Sequence, residues 1–528
     1  MQKEFNDTGL CVSDRHYMVD TVNKIKKIIE LMDKGKYFTI NRPRQFGKTT
    51  TLSRLENQLN KREDYLAVSL SFEDIDTDTY QSQERFIGVF LDMLITECEY
   101  LGAEELVSLI EDHREKIVGI PELSRFITRL VRTVSPEKAF VLLIDEMDKC
   151  ANNQLFLDFL GMLRKKYLRR NEGKDDTFQS VILAGVRDVK TLKAKIRPDD
   201  ERKYNSPWNI AADFTVDLNF NPDEIGTMLR EYAREKDIEP DISLIAGKLH
   251  YYTAGYPYLV SKLCKFIDEK IVPSREDKNW SAGDVDEAFR MIADEAYTTT
   301  LFDSLTKNLE NNRKLYDLIS RIAISGASFP FTITNPVISL GHLHGIIVPS
   351  EQGRCRIHNR IFEQRIYAHI MSELLQTGYH EVNGFSGPEF YTDEGLDIRL
   401  ILQRFQVFMK EHYSEKDAKF LEREGRLLFL SYLRPIINGR GFDFKEPNVS
   451  QERRMDIVIT YKNKRYVIEL KIWHGPRYHQ KGLEQLSRYL DTYSLKEGWL
   501  LIYDFNKNKE YKQEEIVFED KKIFAVWV

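Results

Sequence analysis

The chain has 528 residues, of which 42% are hydrophobic, 12% aromatic and 30% charged, with a formal net charge of -6. That length points to roughly three domains of about 150 residues each, and the composition excludes a disordered or collagen-like polymer. No apolar run approaches the ~18 residues a spanning helix needs, and Met1 to Asp7 lacks the apolar stretch of a signal peptide, so a cytoplasmic protein without membrane contact is expected. Cys11, Cys98, Cys150, Cys264 and Cys355 show no C-x-x-C spacing and read as reduced core thiols. His342 and His344 have no third ligand at a metal spacing and read as packing or surface histidines.

Residues 1–221 alternate helical patterns with short apolar runs at 37–40, 66–70, 140–144 and 181–184. Such runs read as buried strands of a parallel α/β sheet. Helical patterns then dominate, at Asp223 to Asp237 and Tyr258 to Ile271, so residues 222–300 are expected to form a helical lid. Within 301–377, two helical patterns precede the apolar run Gly345 to Pro349, a polar turn and Arg354 to His358, the order of a winged helix. The Gly- and Pro-rich stretch 378–395 reads as a linker. Residues 396–528 then give a helix, strands at 454–461 and 464–472, a helix from about Gln480 to Tyr493, a strand at 498–503 and a short strand pair. From residue 422 onward there are 20 Lys and Arg against 16 Asp and Glu, an electropositive tail in an acidic chain. A local cationic excess suits a polyanionic partner as well as a solvated mixed surface.

The run Tyr37 to Leu52 places a strand, a short loop with Gly47-Lys48-Thr49 and then a helix. In such a loop the backbone N–H groups and the helix N-terminus cradle phosphates, Lys48 reaches the β and γ oxygens, and the Thr49 hydroxyl is a Mg²⁺ ligand. Arg42 stands where the first glycine of the full G-x-x-x-x-G-K-[ST] pattern would be. Phe140 to Glu146 supplies the complement, an apolar strand ending in two acids, with Asp145 on the metal side and Glu146 as the base that polarises an attacking water. Arg187 follows the next apolar run, placed to sense a γ-phosphate or to form a surface ion pair.

Arg42-Pro43-Arg44-Gln45-Phe46-Gly47-Lys48-Thr49 resembles the glycine-poor P-loop of bacterial AAA-like ATPases that carry a C-terminal nuclease, in which the first glycine is likewise replaced. Gly255-Tyr256-Pro257 resembles the G-x-P motif of the related STAND ATPases. The resemblance covers roughly residues 5–370 and implies ATP and Mg²⁺ as ligands, with Arg44, Gln45, Phe46, Gly47, Lys48, Thr49, Thr50, Asp145, Arg187 and Pro257 around the nucleotide.

In the C-terminal part, Asp456 is followed thirteen residues later by Glu469, a spacer and Lys471. On adjacent antiparallel strands Asp456 and Glu469 can face one another, and Glu469 shares a strand face with Lys471 because side chains alternate with period two. Two converging carboxylates hold Mg²⁺ for phosphodiester hydrolysis, and Lys471 orients the water or steadies the developing charge. This arrangement, with Gly482-x-x-Gln485-Leu486-x-x-Tyr489 on the next helix, resembles the PD-(D/E)XK nuclease superfamily and its αβββαβ core, which is restriction-endonuclease-like. The resemblance places Gln485 near the metal or scissile phosphate and asks for an acid from the preceding helix, for which Glu424 and Glu422 both qualify. Met455 replaces the superfamily's proline.

The combined expectation is an α/β P-loop ATPase with lid and winged helix, controlling a Mg²⁺-dependent nuclease in prokaryotic conflict with phage or mobile DNA. Its expected partner is nucleic acid, DNA ahead of RNA, with a homo-oligomer open. The alternative is a nucleotide-gated signalling or interaction ATPase whose C-terminal domain only binds nucleic acid.

Overall fold

The computed structural model describes residues 3–528 except 74, 77, 135–136, 151–152, 187–207, 209, 294–296, 324–327, 377–389, 393–394, 413–424, 427, 431, 434–440, 446–456, 462–463 and 507–508. The chain packs into two compact units. The first comprises Met1–Ile292 together with Leu340–Ile346 and Asn359–Ile361; the second comprises Ala293–Ser339, Ile347–His358 and Phe362–Val528.

In the first unit the four apolar runs are strands: β1 (Phe38–Asn41), β2 (Tyr65–Ser71), β3 (Ala139–Asp145) and β4 (Ser180–Gly185). They form a parallel sheet in the order β1-β4-β3-β2. Parallel strands are covered on both faces, which is why each reads as a continuous apolar run rather than an alternation. On one face Val68, Leu70, Leu142, Ile144, Val181 and Leu183 pack with helices Gln83–Tyr100, Ile120–Val134 and Gln154–Asn171. Ile120–Val134 shows the reason: Leu123, Phe126, Ile127, Leu130 and Val131 recur at the spacing that lines one side of a helix. Helices Pro222–Lys236, Ile242–Thr253 and Pro257–Phe266 follow. The first of these starts with a capping box between Asn221 and Glu224 and with Pro222 in its first turn, where a missing N–H costs nothing.

The second unit opens with helices Thr300–Glu310 and Arg313–Ala323 and a small hairpin of β5 (Ile347–Pro349) and β6 (Cys355–Ile357). A two-residue pair, β7 (Tyr391–Thr392) and β8 (Gly395–Leu396), begins inside the stretch read as a linker and ends one residue beyond it. Its main sheet has six strands: β9 (Gly441–Lys445), β10 (Ile457–Tyr461), β11 (Lys464–Ile472), β12 (Glu497–Tyr503), β13 (Gln513–Phe518) and β14 (Lys521–Trp527), in the order β13-β14-β12-β11-β10-β9. β9, β10 and β11 are antiparallel neighbours, whereas β11, β12 and β14 are parallel. The parallel step from β11 to β12 is made through helix Pro476–Thr492, as a crossover requires. That helix starts four residues earlier than the sequence suggested, because Gly475 takes φ +96° and Pro476 then opens the first turn. Strand β9 was not anticipated. Residue alternation sorts the sheet's two faces. Ile457, Ile459, Ile468 and Leu470 pack with helix Ile398–His412, and Val458, Val467, Leu500 and Ile502 pack with helix Pro476–Thr492.

None of the five cysteines is in a disulfide; four are buried and Cys11 is half-buried. No helix among the described residues is long and apolar enough to cross a membrane.

On helix Lys48–Leu59, burial and then the neighbouring charge of Glu97 push the Glu56 carboxyl up to about 7. A carboxyl raised in the folded state binds more protons there than in the unfolded chain. Its contribution to stability is therefore complete below the ordinary glutamate value near 4.5 and is lost as pH rises through about 7. Glu56→Gln should raise the melting temperature at pH 8 and leave it nearly unchanged at pH 4.5; equal shifts at both pH values in thermal unfolding would contradict this.

Candidate functional site

β1 ends at Asn41 and the chain turns through Arg42–Gly47 into helix Lys48–Leu59. Gln45 (φ +56°) and Gly47 (φ +76°) are left-handed and the intervening Phe46 is not, the sign alternation that turns successive N–H groups toward one point. Lys48 is only 6% exposed, and its Nζ donates to the carbonyls of Arg42 (3.1 Å) and Pro43 (2.9 Å). Burial lowers the pKa of this ammonium, while Glu146, Asp148 and Asp145 oppose the shift.

Asp145 closes β3 and is 6% exposed. Its Oδ2 accepts the Thr49 hydroxyl at 2.6 Å, and its Oδ1 accepts the Glu146 N–H at 2.9 Å. Glu146 is half-buried in a left-handed conformation (φ +54°), and burial followed by the Asp145 charge pushes its carboxyl up. Asp148 Oδ2 accepts the Val186 N–H at 2.6 Å, tying the turn after β3 to the end of β4. Arg187 lies just beyond, outside the described residues.

The segment 255–257 meets the loop directly. Tyr256 donates its hydroxyl to the Arg44 carbonyl at 2.6 Å and takes the Phe46 ring edge-on at 4.8 Å. Pro257 opens its helix with its ring 4.0 Å from where a side chain on Gly47 would begin. Gly255 has φ +74°, and a Cβ there would fall 2.0 Å from the Phe220 carbonyl oxygen, so no other residue fits without moving backbone. Arg42, in place of a glycine, turns away from the loop: its guanidinium donates to the Val216 carbonyl at 2.8 Å and lies over the Phe214 ring.

Beside the loop is a largely apolar cavity of about 160 Å³, walled by the N-terminal segment (Thr8, Cys11, Met18), by Phe46 and Thr50, and by lid residues such as Met228. An apolar cavity near 150 Å³ accepts a benzene-sized ring. Sequence reasoning missed this wall. Its pieces are about two hundred residues apart, and their attachments are dispersed: Cys11 N–H to Thr50 (3.3 Å), Ser261 to the Asn6 carbonyl (2.6 Å), and Asp7 to Lys262 and Lys265 (2.5 and 3.0 Å).

A second polar cluster sits in the other unit. Glu469 on β11 is 0% exposed, and its Oε1 lies 2.6 Å from Lys471 Nζ, which also donates to Gln485 Oε1 at 2.9 Å from helix Pro476–Thr492. Glu469, Lys471 and Gln485 are thus brought together. Asp456, Glu422 and Glu424 lie outside the described residues. Ile457, which follows Asp456, pairs with Ile468, which precedes Glu469.

Residues 10–277 match the family model described as an AAA-like domain. The chain belongs to that AAA-like domain family. An uncharacterized WD repeat-containing protein of Synechocystis sp. is 22% identical over 376 residues; the match covers 66% of this chain, which spans 29% of that relative's length. Among solved structures, the Walker-type ATPase of Pyrococcus abyssi is similar at 13% identity and TM-score 0.45, covering 69% of this chain and 99% of that one. The ORC2 protein of Aeropyrum pernix, described as ADPNP-ADP complexes, is similar at 10% identity and TM-score 0.37, covering 70% of this chain and 98% of that one. By that family match and its parallel sheet, the first unit is an α/β P-loop NTPase fold, an AAA-like domain.

Lys48→Ala should weaken ATP binding by roughly ten- to a hundredfold, since hydrogen bonds to charged groups contribute about 1.5–3 kcal/mol each. Isothermal titration that returned the wild-type dissociation constant would remove Lys48 from the phosphate site.

Proposed function

We propose that the protein binds and hydrolyses ATP in its AAA-like unit and hydrolyses phosphodiester bonds of nucleic acid in its second unit, the first activity governing the second. For the ATPase, the Thr49 hydroxyl and Asp145 carboxylate converge to 2.6 Å. They are hard oxygen donors of the kind Mg²⁺ takes, and between them they would hold the ion. When bound, Mg²⁺ offsets the charge of the β and γ phosphates. Lys48 exchanges two loop carbonyls for phosphate oxygens, the N–H groups around Gly47 accept the remaining charge, and Glu146 takes the proton of the attacking water. The cavity beside Phe46 and Thr50 receives the base.

The nuclease reading rests on one observation: a fully buried carboxylate, Glu469, held by Lys471 two residues on, with Gln485 on the lysine's other side. A buried acid costs several kcal/mol of desolvation, so a site that keeps one is more economically read as functional than as packing. The strand order supports it as well: an antiparallel meander, a helix and a parallel strand is the connectivity that the nuclease resemblance implies. Glu469 and Asp456 would hold Mg²⁺, with Glu424 or Glu422 as the further acid. Lys471 would orient water and steady the scissile phosphate, and Gln485 would keep Lys471 in place.

Regulation has its own support. Gly345 belongs to the first unit and approaches the loop so closely that a Cβ on it would lie 2.4 Å from Pro43. Pro43 supplies a carbonyl that Lys48 gives up to phosphate, so the nucleotide state would be felt at residues 340–346. Nucleic acid, DNA ahead of RNA, is the proposed partner. The role in conflict with phage or mobile DNA draws on the resemblance to fused ATPase-nucleases.

Purified protein with Mg²⁺ should cleave DNA or RNA, Glu469→Gln should reduce cleavage to background with ATP hydrolysis intact, and Gln485→Ala should lower cleavage by roughly ten- to a hundredfold. Cleavage by Glu469→Gln at the wild-type rate would end the nuclease reading. In the ATPase, Glu146→Gln should bind ATP as wild type while hydrolysing it at a small fraction of the wild-type rate; hydrolysis at the wild-type rate in that variant would mean another base.

A further inference from the structure

The second unit has a solvent-open cleft of about 1150 Å³ at the amino-terminal ends of β11, β12 and β14. It opens at the end of the sheet, with Asp397 to Arg399 at the start of one covering helix on one side and Tyr493 and Leu495, just past the other covering helix, on the other. Glu469, Lys471 and Gln485 are not among the residues that line it. The cleft is therefore a different site from the Glu469 cluster.

Its floor is a row of aromatic rings from three neighbouring strands. Tyr466 of β11 lies 5.6 Å from Trp499 of β12, and Trp499 is in direct register with Phe524 of β14. Tyr466 and Phe524 are buried in the core, while Trp499 is half-buried and lines the opening. Around the ring row stand exposed cations: Lys464 at the start of β11 and Lys522 in β14, with Arg465 lying over Tyr493, Lys496 paired with Asp520, and Arg399 lying over the Phe524 ring. Of the three lining carboxylates, Asp397 caps the helix at the Leu400 N–H (2.9 Å), Glu515 pairs with Arg399, and Glu497 is the cross-strand neighbour of Lys522.

An aromatic floor with a cationic rim matches a flexible chain whose unpaired bases stack and whose phosphates track the rim. A rigid duplex offers no free base face. Lys464 and Lys522 stand on strands two spacings apart, roughly 10 Å, too far for one phosphate to meet both and suited to successive phosphates of a strand. We propose that the cleft is a non-hydrolytic site for single-stranded nucleic acid, with Trp499 stacking a base and Lys464 and Lys522 meeting backbone phosphates. The site uses neither Glu469 nor Lys471, so it can fail or stand independently of the nuclease reading.

The test uses the full chain in EDTA, which prevents metal-dependent cleavage, with a twelve-nucleotide oligothymidylate followed by anisotropy and by tryptophan fluorescence. The double reversal Lys464→Glu with Lys522→Glu, both at exposed positions, should weaken binding by roughly tenfold or more at low salt. Trp499→Phe, which keeps a ring in the core, should abolish the oligonucleotide-dependent quenching. Glu469→Gln should bind as wild type. Thymidine monophosphate, inorganic phosphate and a blunt duplex of the same length should each bind far more weakly. Wild-type affinity in the double reversal, or quenching that persists in Trp499→Phe, would overturn the proposal. Binding of the monophosphate as tightly as the oligonucleotide would overturn it too, in favour of a free-nucleotide site.

Discussion

A buried ammonium is the constraint on which the first unit turns. Lys48 is nearly sealed from solvent, and an isolated charge in such a place would lose its proton or unfold its surroundings. Two loop carbonyls accept its protons, and the acids at the end of β3 oppose the lowering of its pKa by burial. Carbonyl dipoles are weak substitutes for full negative charges, so a phosphate at the proposed site would replace them. The left-handed turns at Gln45 and Gly47, the hydroxyl of Thr49 on Asp145, and the contacts of Tyr256 and Pro257 with the loop all surround that one ammonium.

Those parts were legible in proportion to how local their causes are. The four strands of the first sheet could be read because burial on both faces demands continuous apolar runs. Lys48, Thr49 and Asp145 could be read because loop and strand end each carry their chemistry within a few residues. The glycine at 255 was recognisable only as a motif; its reason, a carbonyl 2.0 Å from a would-be Cβ, lies thirty-five residues away at Phe220. The cavity wall built from residues 8–18 and Met228 was invisible, since nothing in an N-terminal sequence says which helix it will cross. Strand β9 was missed for a different cause: Gly441-Phe442-Asp443-Phe444-Lys445 alternates, but a glycine and an aspartate depress the strand signal, and only pairing with β10 makes it one.

The second unit was legible through alternation alone. Glu469 and Lys471 were expected on one strand face, and the 2.6 Å contact between them puts them there. What alternation does not reveal is the burial of Glu469 beneath helix Pro476–Thr492, or that Gln485 reaches the lysine from that helix. Period two also separates this cluster from the aromatic row at Tyr466, Trp499 and Phe524. One mixed sheet therefore carries the Glu469 cluster on one face and the three rings on the other.

The division of the chain bears on how the two activities would be linked. Residues 340–346 pack with the first unit although the segments on either side, 293–339 and 347–358, pack with the second. The close approach of Gly345 to Pro43 is thus made by a segment covalently continuous at both ends with the other unit. A nucleotide shifts such an arrangement only by binding its two states unequally. The loop would meet that condition if phosphate displaced the Pro43 carbonyl from Lys48, since Pro43 is the residue against which Gly345 packs. Any group at residue 345 larger than hydrogen would meet the Pro43 ring at a distance no real Cβ tolerates, so the same glycine that permits the contact makes it sensitive to small movements of the loop.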